Sequence, residues 1–561
     1  MSNAVATNIK SAILYSRSTF IVYFLSILLV YRIINLYFFE KSISLFNGLI
    51  YSNINNLVFI LFIFLLSFCI ITLTSFYPVN FTKNHNELDY TNNIDNKTKS
   101  LFNLKEIFQI ERDHYKIIEY PLITQFIIIG GVTLLSSNDL ITIFLSIELQ
   151  SYGLYILSTI YRNSEASTGA GLTYFLLGGL SSCIILLGLS FLYINSGTTS
   201  LDGLYLIYNI ITSDVNLLSV FLVQNNELFN TIGSNLPVFS LNYYQYTIQL
   251  SLVVLTVGFL FKISAAPFHS WSPGVYDAIP TVTTTFVAII PKISILILLF
   301  DIVHSTWYTT FNYSWTSILL FSSFLSLIIG SVLGLTQHKI KRLYAYSTIS
   351  HVGFILLALS VHSVESVQAF FFYIIQYSLS NLNAFLILVL IGYTFINIQK
   401  KTTHYESSSS SYRNYKEKLN VLSPVEYIDN LKGYFYLNPI LAISLSVTLY
   451  SFIGVPPLVG FFAKQMILSS ALDNGDIFMC LVAILTSVVS AVYYLYIVKH
   501  MFFDKSKYDL DTAVTNSIYS TTLSNWLTGL ISILSLTMLL FIFLYYEIYH
   551  LINIISVFVT Y

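Results

Sequence analysis

Charged residues are scarce in this sequence, and their scarcity excludes a soluble protein. Asp, Glu, Lys and Arg make up 9% of the 561 residues, whereas about 25% is usual in a soluble globular domain. Hydrophobic residues make up 55%, and the mean hydropathy is +0.72. The formal net charge of −1 leaves no excess of cations for a nucleic-acid-binding face. The chain is therefore predicted to be a polytopic membrane protein.

Cysteine is also rare, and its placement argues against a metal centre. Cys69, Cys183 and Cys480 lie far apart in apolar stretches, with no CxxC pair and no histidine at metal-binding spacing. Iron–sulfur and zinc sites need clustered thiolates or imidazoles, so we predict that the chain holds no metal. The sequence also lacks a P-loop and a GxGxxG segment after a strand, and nucleotide binding is unsupported.

Long apolar stretches recur along the whole chain instead. Each is close to the roughly 20 residues that cross a bilayer as a helix. They predict 13 spans, at residues 18–39, 57–77, 119–137, 138–162, 168–195, 247–270, 279–303, 315–336, 343–363, 366–397, 437–466, 477–499 and 524–549. The fold class is therefore all-α.

The basic residues predict which loops share a side of the membrane. If the N-terminus lies on side one, 21 of the 26 Lys and Arg residues fall in side-one segments. The long loop at 196–246, on side two, has three acidic residues and no Lys or Arg. By the positive-inside rule, side one is the cytoplasm or the mitochondrial matrix.

Two spans are interrupted by proline, and they occupy equivalent places in the chain. Pro267 breaks the span at 247–270, and Pro456 and Pro457 break the span at 437–466. Each is the fourth helix in a set of five, which predicts two inverted five-helix repeats with binding elements at the breaks. Proline is also common in membrane helices without such a role.

These features divide the chain into four regions. The predicted regions are N-terminal helices with a side-one loop (1–118), a first repeat (119–303), a second repeat (304–499) with a mobile low-complexity loop at about 398–436, and a C-terminal loop and helix (500–561).

Four ionisable residues lie inside predicted spans: Glu148, Lys262, Lys292 and Lys464. Each costs about 2.5–3.5 kcal/mol to insert, and such residues usually mark ion paths. A carboxylate near a buried lysine stabilises the charged amine, and withdrawing that carboxylate releases the proton. We therefore predict a proton path that contains these four residues. A structural ion pair accounts for two of them at most, and three lysines argue against a sodium site.

Other polar residues carry weaker signals. His351 lies within a span and is either a neutral proton relay or a hydrogen-bonded core histidine. The run from His338 to Arg342 is interpreted as a basic anchor at the membrane surface rather than part of the path.

Several of these motifs together resemble a known family over residues 119–500. It is the family of antiporter-like proton-channel subunits of respiratory NADH:quinone oxidoreductase (complex I). The stretches that carry the resemblance are SSNDLITIFLSIELQSYGLYIL, FKISAAPFHSWSPGVYDAIP, KIKRLYAYSTISHVGF and GVPPLVGFFAKQMIL. The family fold has fourteen helices, one more than predicted here, and we expect the first helix to be absent from this sequence or lost in this lineage.

The resemblance implies roles for the intramembrane residues and a setting for the chain. Glu148 and Lys262 would form the controlling ion pair, Lys292 the central relay and Lys464 the terminal relay near a neighbouring antiporter-like subunit. NADH, FMN, iron–sulfur clusters and ubiquinone would be bound by other subunits, with no cofactor on this chain. The implied location is the mitochondrial inner membrane, with the basic loops facing the matrix.

Two alternatives remain open from the sequence. One is a subunit of a related cation/proton antiporter. The absence of further intramembrane carboxylates favours the complex I subunit over this alternative. The other is a structural scaffold in which the charges only hold helices together.

Overall fold

The computed structural model describes the chain in segments separated by gaps: residues 9–37, 43–75, 119–161, 164–207, 236–305, 315–361, 363–405, 425–505 and 525–560. The first half of the described chain contains helices α1 (Ile9–Tyr37), α2 (Ile54–Ser75), α3 (Tyr120–Leu135), α4 (Leu140–Thr159), α5 (Glu165–Ser196), α6 (Leu236–Ile263), α7 (Trp271–Ala278) and α8 (Thr281–Ser305). The second half contains α9 (Ser317–Leu335), α10 (Ile340–Ser360), α11 (Val364–Tyr405), α12 (Tyr434–Leu437), α13 (Pro439–Ile453), α14 (Val459–Asp473), α15 (Ile477–Phe502), α16 (Asn525–Leu539) and α17 (Phe541–Thr560). A short antiparallel hairpin, β1 (Ile43–Leu45) with β2 (Ile50–Ser52), joins α1 to α2.

The prediction of 13 spans is not confirmed. In the described segments, 10 helices are long and apolar enough to cross a membrane, or up to 11 if the bent pair α16–α17 is one span. The predicted span at 119–137 is a 16-residue helix. The span at 437–466 is divided into α13 and α14, and the last span is bent by 84° between α16 and α17. The division of 437–466 lies at the predicted proline break, whereas hydropathy alone hides the bend in the last span because the residues on both sides of it are apolar.

The predicted loop at 398–436 is shorter than expected. Helix α11 continues to Tyr405, and residues 428–431 form a 3-10 helix that leads into α12. Residues 406–424, which hold the low-complexity stretch, lie outside the described residues, as does the predicted side-one loop at 78–118.

The centre of the molecule is formed by α8, α10 and α11, whose residues are nearly all buried. The outer helix α5 instead exposes large apolar side chains, such as Leu172 and Phe175. Exposed apolar residues face lipid without penalty in a membrane, whereas the central helices can hold polar groups away from it. The buried polar residues of the central helices are therefore the natural place to look for a site.

Helix packing repeats itself between the two halves. Two glycine contacts in the first half recur in the second half, with both residue numbers raised by 200. Gly130 faces Gln150 as Gly330 faces Ser350, and Gly153 faces Ile127 as Gly353 faces Leu327. A Cβ on Gly130 or Gly330 would lie 2.7 Å from the backbone nitrogen that it faces. The α3–α4 and α9–α10 pairs therefore pack in the same register.

Loop contacts fall into two groups. Segments predicted on side two meet through the bridges Ile50–Ser137 and Asp139–Ser200. Segments predicted on side one meet through the bridge Lys339–Tyr427 and through the Gly433 nitrogen, which donates to the carbonyl of residue 500. Each of these contacts joins segments that were predicted on one side of the membrane.

Candidate functional site

Glu148 and Lys262 form a direct ion pair between α4 and α6. The Lys262 Nζ lies 3.3 Å from the Glu148 Oε1, and the exposed fractions of the two side chains are 7% and 14%. A charge pair so shielded from solvent is weakly screened. The sequence-predicted pairing of these two residues is thus present as a contact.

The first broken helix ends directly after Lys262. Helix α6 stops at Ile263, and Ser264 has a positive φ of 64°, which a non-glycine residue rarely adopts. Pro267 follows in the connection, after a cis peptide bond. The Trp271 Nε1 at the start of α7 donates to the Phe261 carbonyl at 3.0 Å, so the two half-helices remain joined. The positive φ of Ser264 is a strained conformation for a non-glycine residue, and such residues often occur at functional sites.

A small cavity of about 20 Å³ lies beside Lys262. Its lining includes Gln150, Tyr155, Trp271 and Pro291. This volume is enough for about one water molecule, which could hydrogen-bond to the polar groups there. The cavity therefore extends from the ion pair towards the helix that carries Lys292.

Gln150 and Ser294 link the same two helices by hydrogen bonds. The Gln150 Nε2 donates to the Ser294 Oγ at 3.0 Å, and the Ser294 hydroxyl lies 3.1 Å from the Gln150 Oε1. Both side chains are buried. They join α4, which carries Glu148, to α8, which carries Lys292.

Lys292 lies in the middle of the buried helix α8, directly after Pro291. Its side chain is 2% exposed, and its Nζ donates to the Thr348 hydroxyl at 3.0 Å. The Nζ also lies 5.6 Å from the centre of the Tyr276 ring. A cation here is thus held by a neutral hydroxyl and an aromatic face.

His351 lies one turn beyond Thr348 on α10. Its Nδ1 is 2.8 Å from the Tyr373 hydroxyl, and its Nε2 is buried without a hydrogen-bond partner among the described residues. Lys292 and Lys464 are both close enough to interact electrostatically with the ring. A buried nitrogen with a free hydrogen-bonding position can accept or donate a proton.

Lys464 lies on α14, beyond the second broken helix. Helix α13 ends at Ile453 and is capped by Gly454, whose φ is 89°; Pro456 and Pro457 follow, joined by a cis peptide bond. The Lys464 Nζ donates to the carbonyls of Phe452 and Ile453, at 3.0 and 2.8 Å. These are the last two residues of α13, where helix carbonyls carry partial negative charge.

The packing register places Thr348 at the position equivalent to Glu148, so Lys292 contacts the residue that replaces the carboxylate in the second half. Lys341 was interpreted as a surface anchor, but its side chain is 2% exposed. Its spacing of seven residues from Thr348 places both on one helix face, a signal that the sequence does contain.

Comparisons with known proteins identify the family. The family described as "NADH:quinone oxidoreductase/Mrp antiporter, TM" matches residues 137–490. A protein named NADH-ubiquinone oxidoreductase chain 2, from Rhizopus oryzae, is 42% identical over 493 residues, which cover 88% of this chain and 82% of that protein. Lys464, the lysine after GVPPLVGFFA, is a sequence feature that resembles chain 2 among the family's sister chains, and this relative carries the chain 2 name.

Solved structures share the fold. A chain of respiratory complex I from Thermus thermophilus has a TM-score of 0.59 at 22% identity, with 93% of this chain and 92% of that chain covered. A chain of the Mrp complex from Dietzia sp. DQ12-45-1b has a TM-score of 0.69 at 14% identity, with 100% and 95% covered. This protein belongs to the NADH:quinone oxidoreductase/Mrp antiporter membrane-subunit family.

Proposed function

We propose that this chain is a proton-translocating membrane-arm subunit of mitochondrial NADH:ubiquinone oxidoreductase, equivalent to its chain 2. The observation that carries the proposal is the buried Glu148–Lys262 ion pair at a broken helix, in a chain that is 42% identical to a chain 2. Quinone reduction takes place on other subunits, which bind NADH, FMN, the iron–sulfur clusters and ubiquinone. This chain contributes proton movement only.

The pair acts as a switch. While Glu148 contacts Lys262, the carboxylate stabilises the ammonium form, and the proton stays on the amine. When the carboxylate is drawn away, a buried cation without a partner is unfavourable, and Lys262 releases its proton into the adjacent cavity. The proton passes to Lys292 through a water in that cavity, near the Gln150–Ser294 link.

The second part of the path runs from Lys292 to Lys464. His351 interacts electrostatically with both lysines, and its Nε2, which has no hydrogen-bond partner in the described part of the chain, lets it serve as the intermediate relay. Lys464 is the terminal group, and the carbonyls of Phe452 and Ile453 hold it in place. No electron transfer is required at any of these side chains.

The proposal includes a topology of two inverted five-helix repeats. The 200-residue offset of the glycine contacts and the two proline breaks support it. The loop contacts on two separate sides support the sidedness in which the basic loops face the matrix. A neighbouring antiporter-like subunit and other membrane-arm subunits are the partners that this placement requires, in the mitochondrial inner membrane.

A cation/proton antiporter subunit is the second candidate, because the same fold occurs in an Mrp complex. Native separation in a mild detergent, with in-gel NADH oxidation and mass spectrometry, distinguishes the two. We expect the chain to migrate with a large NADH-oxidising assembly. If it migrates alone or in an assembly without NADH activity, the antiporter function replaces the proposed one.

A further inference from the structure

Lys341 is a buried cation outside the proposed path. It lies at the start of α10, and its side chain is 2% exposed. Its Nζ donates to the backbone carbonyls of Asp277 at 2.9 Å and Ile279 at 2.6 Å. These carbonyls lie at the C-terminal end of α7, where the helix dipole favours a cation. Burying an ammonium group is unfavourable unless it keeps its hydrogen-bond acceptors. Lys341 therefore favours the conformation in which the end of α7 stays in contact with it.

Surface ion pairs surround the same junction. The Asp277 Oδ2 lies 2.9 Å from the Lys339 Nζ and 3.0 Å from the Arg342 Nε. Lys339 and Arg342 are 31% and 45% exposed, and exposed pairs contribute little to stability. Lys341 is therefore the cation whose removal changes the junction most.

The residue directly before Asp277 contacts Lys292. Tyr276 precedes Asp277 on α7 and is completely buried, and its ring centre lies 5.6 Å from the Lys292 Nζ. Tyr276 belongs to the segment between the predicted spans at 247–270 and 279–303, which the sequence analysis assigns to side one. Its ring therefore connects the segment that Lys341 holds with the Lys292 amine.

Helix α10 holds the same amine from another direction. Thr348, two turns after Lys341 on α10, accepts the hydrogen bond from Lys292. Lys341 therefore fixes the position of α10 relative to α7, and each of these helices supplies one of the two groups around Lys292. A substitution of Lys341 would therefore alter the positions of both Tyr276 and Thr348 relative to Lys292.

We propose that Lys341 is a positioning residue for proton transfer at Lys292, and that it keeps Tyr276 in the side-one approach to that amine. This inference rests on the proposed proton-translocating function. Lys341 does not exchange the transported proton itself. It prevents protons on side one from reaching Lys292 outside the coupled cycle.

The test uses the whole complex in sealed vesicles, with Lys341→Met and the conservative Lys341→Arg. We expect the assembled Lys341→Met complex to oxidise NADH, with a lower proton-to-electron ratio and a higher resting proton conductance than the wild type. Lys341→Arg should restore both because a guanidinium can also donate to two carbonyls. Lys339→Met also removes one positive charge, but from an exposed side chain at the same junction. It should leave the proton-to-electron ratio and the resting conductance at the wild-type value. A role confined to folding would lower the amount of complex without changing either readout per assembled complex.

Variants of Tyr276 keep the inference testable if Lys341→Met fails to assemble. Tyr276→Ala should raise the resting conductance, whereas Tyr276→Phe keeps the ring and should not. Wild-type ratio and conductance in assembled Lys341→Met or Tyr276→Ala would overturn the inference. Lys292→Met separates this failure from failure of the proposed function. If Lys292→Met lowers the ratio while the Lys341 and Tyr276 variants do not, only the inference is wrong; a wild-type ratio in Lys292→Met contradicts the proposed function.

Discussion

The Lys262 Nζ lies 3.3 Å from the Glu148 Oε1, and this contact joins two helices that are far apart in sequence at the point where one of them breaks. Because Lys262 is the second-last residue of α6, its backbone lies beside the interruption. A small displacement of the half-helix would therefore separate the charges, which is the property that a switch needs.

Neutralising the carboxylate should uncouple the complex. In Glu148→Gln, the amide oxygen can still accept a hydrogen bond from Lys262, but the charge that stabilises the ammonium is lost. We expect assembly to be retained and the proton-to-electron ratio in vesicles to fall. Glu165→Gln, in the exposed first turn of α5, is the matched control and should behave as the wild type. An unchanged ratio in Glu148→Gln would rule out a controlling role for the pair.

Removing the hydroxyl that holds Lys292 should impair proton transfer. Thr348→Val has nearly the same shape but leaves the amine without this acceptor, at a cost of about 1–3 kcal/mol for an unsatisfied buried polar group. We expect slower proton pumping at a normal content of assembled complex. Thr348→Ser keeps the hydroxyl and should pump at the wild-type rate. Equal rates in the Val and Ser variants would contradict the role of this hydrogen bond.

Lys464 should be needed for pumping and, less strongly, for stability. Lys464→Met leaves the carbonyls of Phe452 and Ile453 without their donor, which should lower the free energy of unfolding by about 1–3 kcal/mol. We expect a lower melting temperature of the complex and a reduced proton-to-electron ratio. Lys464→Arg restores a donor and a charge, and should recover most of the stability. Full pumping by assembled Lys464→Met would show that the amine only supports the helix break.

The repeated glycine packing predicts a pair of equivalent stability defects. Gly130→Ala and Gly330→Ala each place a Cβ 2.7 Å from a backbone nitrogen, which forces the paired helices apart. Overpacking of this kind typically costs about 1–3 kcal/mol. The amount of assembled complex on native gels should fall for both variants. Gly179→Ala, which has nothing within 4 Å, should not reduce it. If the three variants assemble alike, the close packing does not support the fold as described.

The sequence predicts the helical membrane class and the Glu148–Lys262 contact because ionisable residues are conspicuous in apolar surroundings. It does not predict the break between α16 and α17, since the residues around Leu540 are as apolar as a continuous span. The sequence indicates a basic anchor at Lys341 because it belongs to the basic run from His338 to Arg342; its burial depends on the end of α7, which is distant in sequence. The sequence does not single out Thr348 as a contact of Lys292, because threonine is unremarkable in a membrane helix and the two residues lie on different helices.

The central claim is that protons cross the membrane through this chain by way of the buried lysines. The most direct measurement is the proton-to-electron ratio of vesicles that contain the assembled Lys262→Met complex, with NADH oxidation measured in the same sample. The account predicts that electrons still reach quinone while fewer protons are moved for each electron pair. A wild-type ratio in that assembled complex would contradict it.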